Sequence, residues 1–145
     1  MITVKVNDRA LRDALRKVKL SKRDFVDALY DGGLVVEAAA KRNIKLRDLI
    51  DTGDLRSSMT TEKNMSAGYV VVGTNKIYAA IHEFGGVIKP RTAKLLSWVQ
   101  NGVRIFATSV TIPARPYLRP AIDDNHREIV NAVKRAAETI IKRAV

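Results

Sequence analysis

Two histidines and fifteen carboxylates are the chain's groups for metal or proton chemistry, and their spacing decides what they can do. His82-Glu83 sets an imidazole beside a carboxylate, but neighbours on a helix point about 100° apart. A helical zinc pair needs a second histidine at i+4, and that position is Gly86. The other histidine, His126, falls in a different element. Asp51 and Asp54 are three residues apart, as hydrolytic carboxylate pairs can be, yet capping at a helix start accounts for both. The chain has no cysteine, no Gly-x-Ser-x-Gly elbow, no Gly-x-x-x-x-Gly-Lys phosphate loop and no dinucleotide-binding glycine fingerprint. The expectation is therefore a protein that is not an enzyme, with no metal and no cofactor.

The net charge of +11 raises nucleic acid as a partner, because clustered Lys and Arg release counterions from phosphate. The excess is spread along the chain. Residues 1–50 hold 12 basic and 7 acidic side chains, residues 51–118 hold 8 and 4, and residues 119–145 hold 6 and 4. One local stripe, Arg9, Arg12, Arg16, Lys19 and Arg23 with Lys17 and Lys22, could face DNA, an acidic protein or solvent beside the apolar seam Leu11, Leu15 and Val18. Aromatic content of 6% speaks against a stacking platform for single strands. Trp98 and Phe106 suit cross-strand packing or an intersubunit anchor.

At 145 residues and 46% apolar, one domain spanning 1–145 with its own core is expected. The N-terminus lacks the apolar stretch of a signal peptide, and no run approaches a membrane span, so a soluble product made in the cytoplasm is the reading.

The elements that position these groups follow from periodicity. Ile2-Thr3-Val4-Lys5-Val6 alternates like a short strand, and Asn7 or Asp8 can cap a helix carrying Leu11, Leu15 and Val18. Ser21-x-x-Asp24 is similar to a capping box, and Phe25, Leu29, Val36 and Ala40 predict a second helix to about Arg42. Gly32-Gly33 costs about 1 kcal/mol per glycine there, and because the apolar phase survives across the pair, a close backbone contact is expected, with a kink as the other solution. Asp51 or Thr52 can cap a short helix. Residues 58–63 and 68–74 predict one hairpin. Ile77, Ala80, Ile81 and Phe84 predict a short helix docked by that face and ended by Gly85-Gly86. Asn101-Gly102 predicts a second hairpin between residues 95–99 and 103–111.

Three of the four prolines fall in Pro113-Ala114-Arg115-Pro116-Tyr117-Leu118-Arg119-Pro120. Proline fixes φ and pushes the preceding residue out of the α region, so this is an extended rod leading into a helix. Ile122, Ile129, Val133, Ala137, Ile140 and Ala144 then form one apolar stripe over about six turns. The sum is an α+β fold, an antiparallel sheet of two hairpins packed against long N-terminal and C-terminal helices. Residues 64–67 and 84–91 are the expected mobile loops.

Several segments occur in an order that closely resembles the tail-completion or neck protein family of long-tailed bacteriophages, including Mu-like virion morphogenesis proteins. They are Thr52-Gly53-Asp54-Leu55-Arg56-Ser57-Ser58, Val72-Gly73-Thr74, Tyr78-Ala79-Ala80-Ile81-His82-Glu83-Phe84-Gly85-Gly86, and Ile112-Pro113-Ala114-Arg115-Pro116-Tyr117-Leu118-Arg119-Pro120-Ala121-Ile122. Many relatives carry Phe where this chain has Tyr117, and Gly-Thr where it has Gly85-Gly86. The resemblance implies a structural virion protein that completes the tail or forms a neck ring joining tail to head connector. It implies tail tube, tail terminator and connector proteins as partners, a homo-oligomeric ring, contact with packaged DNA or acidic subunits, and a virion location. Candidate subunit contacts are Glu83, Phe84, Gly85, Gly86, Lys89, Arg91, Arg115, Pro116, Tyr117 and Arg119. The competing reading is a small basic cytoplasmic DNA-binding module using Arg9, Arg12, Arg16, Lys19 and Arg23.

Overall fold

A computed structural model describes residue 9, residues 20–49 and residues 53–144. The strand expected at residues 2–6, the helix carrying Leu11, Leu15 and Val18, and capping by Asp51 or Thr52 lie outside the described residues. Arg9 alone of the early segment is described, helical and exposed.

Helix α1 (Lys22–Leu46) is the spine. Ser21 caps it by accepting the Asp24 N–H at 3.1 Å, and its hydroxyl donates to the Asp24 carboxylate at 2.6 Å. The helix runs unbroken through Gly32-Gly33, and the two glycines serve different neighbours. A Cβ at Gly32 would lie 2.6 Å from Val133 Cγ2, and one at Gly33 would lie 2.6 Å from Thr61 Cγ2 and 2.9 Å from Val70 Cγ1. Successive positions on a helix diverge by about 100°, so the pair lets a helix close in on one flank and a hairpin on the next.

The helix on that flank is α5 (His126–Ala144), antiparallel to α1, with Val133 and Ala137 against Ala28. The hairpin is β1 (Thr60–Asn64) with β2 (Tyr69–Gly73), in register Thr60↔Gly73 to Asn64↔Tyr69. Polar links tie it to α1: Lys63 pairs with Asp27 at 2.7 Å and lies over the Tyr30 ring, and Thr61 donates to Glu37 at 2.7 Å. Burial alone would raise the Glu37 pKa, but the hydrogen bonds from Lys41 and Thr61 and the Lys41 charge outweigh it and hold the carboxyl below its usual range. Beyond the glycines, Val36, Ala39, Ala40 and Ile44 meet Leu55 of α2 (Asp54–Ser57), Met59, Val72 and the start of the C-terminal region in the main core.

Four details differ from the sequence expectations. Helix α3 (Ala79–Phe84) docks through Ala79 and Glu83, whereas Ile77 is 96% exposed and Phe84 70% exposed. The stretch after it is not a loop throughout: β3 (Gly86–Ile88) pairs with β6 (Val110–Ile112). The second hairpin, β4 (Leu96–Gln100) with β5 (Val103–Ala107), turns through Asn101 at φ 52° and Gly102 at φ 78°, and none of its residues is buried. Among the described residues, β1 and β2 therefore form the sheet layer that buries residues beneath the helices. The last helix is also two: α4 (Leu118–Asp123) stops, Asn125 Nδ2 donates to the Ala121 carbonyl at 3.0 Å, and α5 begins anew. The stripe keeps Ile122, Ile129, Val133 and Ala137 buried, leaves Ile140 half-buried and exposes Ala144.

Candidate functional site

The proline-rich segment is held by one acid. Glu83 is 4% exposed, and its Oε2 accepts the N–H groups of Tyr117 at 2.8 Å and Leu118 at 2.9 Å while Oε1 accepts that of Arg119 at 2.9 Å. These are the first amides of α4, donors that no intrahelical carbonyl can reach. Tyr117 occupies the cap position and supplies no side-chain cap. Glu83, more than thirty residues earlier, supplies it instead, with its negative charge at the positive end of the helix.

Further bonds fix the same segment. The Arg115 N–H donates to the His82 carbonyl at 2.7 Å, Asn43 Nδ2 donates to the Tyr117 carbonyl at 2.9 Å, and the Tyr117 hydroxyl reaches the Ala79 carbonyl at 3.4 Å. Gly85, at φ 70°, lets the chain pass so close that a Cβ there would meet Ala114 N at 2.7 Å. Burial, with Glu83 and Tyr78 adding to it, pushes the Tyr117 phenol well above its ordinary value. His82 is half-buried and edge-on to Tyr78, and burial, then the Arg115 charge, lowers its pKa.

This arrangement divides the candidate contact residues. Glu83 and Tyr117 are buried inside the chain, the carboxylate engaged with three amides and the phenol ring fully enclosed. Pro116 and Gly85 are half-buried beside them. Phe84, Gly86, Lys89, Arg91, Arg115 and Arg119 are exposed. Arg119 lies 3.5 Å from Asp123 with both side chains in solvent, a pairing worth little. Glu83, Asn43 and the backbone bond from Arg115 to His82 pin the rod. Of the basic stripe, Arg9 and Arg23 are exposed, while Arg12, Arg16 and Lys19 lie outside the described residues.

Sequence reasoning missed two groups. Asn43 in a helix interior, where Asn is disfavoured, was the available hint of a tertiary bond. The other group is a set of exposed apolar residues close together in the sequence. Fourteen large apolar side chains are exposed among the described residues, and ten of them lie in the stretch 77–106, including Ile77, Phe84, Val87, Val99, Val103 and Phe106. Trp98, expected in cross-strand packing, does face Ile105 across the hairpin, but at the surface.

The sequence profile of the phage virion morphogenesis family matches residues 34–138, a span that contains Glu83, the proline segment and both hairpins. The chain is similar to Mu-like prophage FluMu G protein 2 of Haemophilus influenzae, 38% identical over 82 residues, which cover 54% of this chain and 46% of that protein. It is also similar to the protein named "Putative capsid assembly protein G" of Escherichia phage Mu, 31% identical over 94 residues, covering 63% of this chain and 47% of the phage protein. The chain spans just under half the length of these curated relatives. No solved structure matches it.

Proposed function

The chain belongs to the phage virion morphogenesis family, and from that premise we propose that it is a structural component, not an enzyme, that completes the tail or forms a neck ring joining tail to head connector. The observation that carries this reading is the concentration of exposed apolar side chains in the stretch 77–106. Exposed apolar patches on a folded domain mark surfaces that another molecule covers. Among the elements that carry them, α3 is anchored to α4 by Glu83, so a partner at Phe84 meets a pre-ordered surface.

Closing a ring takes two different complementary surfaces per subunit. The rod carrying Arg115 and Arg119 supplies one, and the exposed set Phe84, Gly86, Lys89 and Arg91 supplies the other. Proline-fixed arginines form paired bonds to carboxylates without the cost of ordering a flexible loop. Tail tube or tail terminator subunits on one side and acidic connector subunits or DNA on the other are the partners of this reading.

The test is complementation of a phage lacking the protein with Arg115→Ala combined with Arg119→Ala. The double variant is expected to melt like the parent, since both side chains are in solvent, and to leave heads and tails unjoined in electron micrographs. A normal melt with normal titres would remove the joining role. Salt-dependent duplex binding by the isolated chain, alongside normal titres, would favour the DNA-binding module instead.

A further inference from the structure

The β4–β5 hairpin is a two-stranded sheet by itself, and none of its residues is buried. In its register Ser97 faces Phe106 and Val99 faces Arg104, so these four share one face, while Leu96, Trp98, Gln100, Val103, Ile105 and Ala107 share the other, which is open at its turn end, where Val103 is 63% exposed. The second face is partly covered, with Leu96, Ile105 and Ala107 half-buried. The first is open along its whole length: Val99 is 61% exposed and Phe106 58% exposed, with Arg104 exposed between them. A lone two-stranded ribbon is marginal in water, and this one also presents unpaired strand edges.

Charge indicates what covers the face. Between Glu83 and Asp123 the sequence contains no acidic residue, but it contains Lys89, Arg91, Lys94, Arg104, Arg115 and Arg119. Hairpin and rod are therefore purely cationic around an apolar centre. A second copy stacked face to face on this hairpin would set Arg104 against Arg104. Duplex DNA would satisfy the arginines and leave Val99 and Phe106 without apolar contact. We propose that the Val99, Arg104 and Phe106 face docks on a different virion protein, at an apolar surface rimmed by Asp and Glu. The proposal rests on the chain being built into the virion, and it assigns the hairpin to the heterotypic contact, separate from the ring contacts of the rod.

The experiment places p-benzoylphenylalanine at position 106 of the full-length chain, supplied to a phage lacking the protein. Purified particles are irradiated, and the cross-linked peptide is sequenced by mass spectrometry. A peptide from a different virion protein, with acidic residues flanking apolar ones, is the expected product. A peptide from another copy of this chain, an adduct on DNA, or no cross-link overturns the assignment while leaving the assembly role intact. Absence of the chain from the particles overturns both. In parallel, Val99→Asp with Phe106→Asp is expected to melt like the parent and to lower titres at least about tenfold, the loss that removing interface anchors produces. Parental titres with a parental melt would overturn the proposal, and the cross-link decides it if that variant fails to fold.

Discussion

Replacing Glu83 with alanine removes the two oxygens that accept three hydrogen bonds, and the structure sets the size of the loss. The amides of Tyr117 and Leu118 are buried and have no other partner within reach, whereas the Arg119 amide is partly open and can turn to water. Each buried donor left unsatisfied costs about 1–3 kcal/mol, so the two together cost about 2–6 kcal/mol, centred near 4. That is a large share of the roughly 5–15 kcal/mol that holds a domain together. At about 2–4 °C per kcal/mol for a chain of this size, the melting temperature should fall by roughly 8–16 °C. Glu83→Gln is the informative partner. Its amide oxygen can take the Oε2 position and keep the Tyr117 and Leu118 bonds, while its NH2 group then faces the Arg119 N–H; the expected cost is about 1–2 kcal/mol. Thermal melts by circular dichroism give the order parent, Gln, Ala. Amide exchange adds a local readout, because Tyr117 and Leu118 should exchange faster in Glu83→Ala before distant α1 amides do. Equal melts for the Ala and Gln variants, or an alanine melt within about 2 °C of the parent, would refute the clamp, since either implies that the amides find other acceptors.

Val133→Asp puts a carboxylate into the packed seam between α1 and α5, where Val133 is 1% exposed, and should abolish the cooperative melt. Gly32→Ala gains about 1 kcal/mol of helix propensity but forces a Cβ onto the stiff Val133 side chain, an overpacking cost of about 1–3 kcal/mol, so a net loss is expected. The same change in a Val133→Ala background should be less harmful, and a double-mutant cycle measures the coupling. Burial and the Arg115 charge hold His82 below its ordinary value of 6.5, so the unfolded chain takes the proton more readily. The stability from this group is present above pH 6.5 and declines as the pH falls through the lower folded value; His82→Gln should flatten that part of the melt-versus-pH curve and leave particle titres unchanged. Glu37, held below its ordinary 4.5, contributes stability above that value that is lost as the pH drops through the folded one, and Glu37→Gln should remove that acid-side slope.

What the sequence made legible was local. The Ser21 cap needs only the next three residues, the Asn101-Gly102 turn needs only two positive φ angles, and the persistence of apolar phase from Leu29 to Val36 already implied an unbroken helix through the glycines. The features that escaped depend on partners far along the chain. The stripe Ile77, Ala80, Ile81, Phe84 has the period of a docked helix, yet the opposite side is buried because Glu83 must reach the amides of α4. A glutamate among apolar residues gives no sign of where its acceptor oxygens point. The pairing of β3 with β6 joins three-residue strands too short to show alternation. The break between α4 and α5 was hidden because both helices keep the same apolar phase; the Asn125 side-chain bond to Ala121 and its backbone bond to Ile122 mark the stop. Among the candidate contact residues, burial separates Glu83 and Tyr117, which build the segment, from Phe84, Lys89, Arg91, Arg115 and Arg119, which face outward.

The pairing of β3 with β6 also has a bearing on how the chain tolerates change. Ile88 and Val110 stand opposite each other, so everything between them leaves and re-enters the body through one narrow gate. The entropy of closing such an excursion grows only logarithmically, about 0.6 kcal/mol for each doubling of its length. Lengthening, trimming or exchanging the ribbon beyond that gate leaves the α1 and α5 packing and the Glu83 clamp untouched. The body is then a constant chassis, and the ribbon an insert that can be exchanged without refolding the remainder.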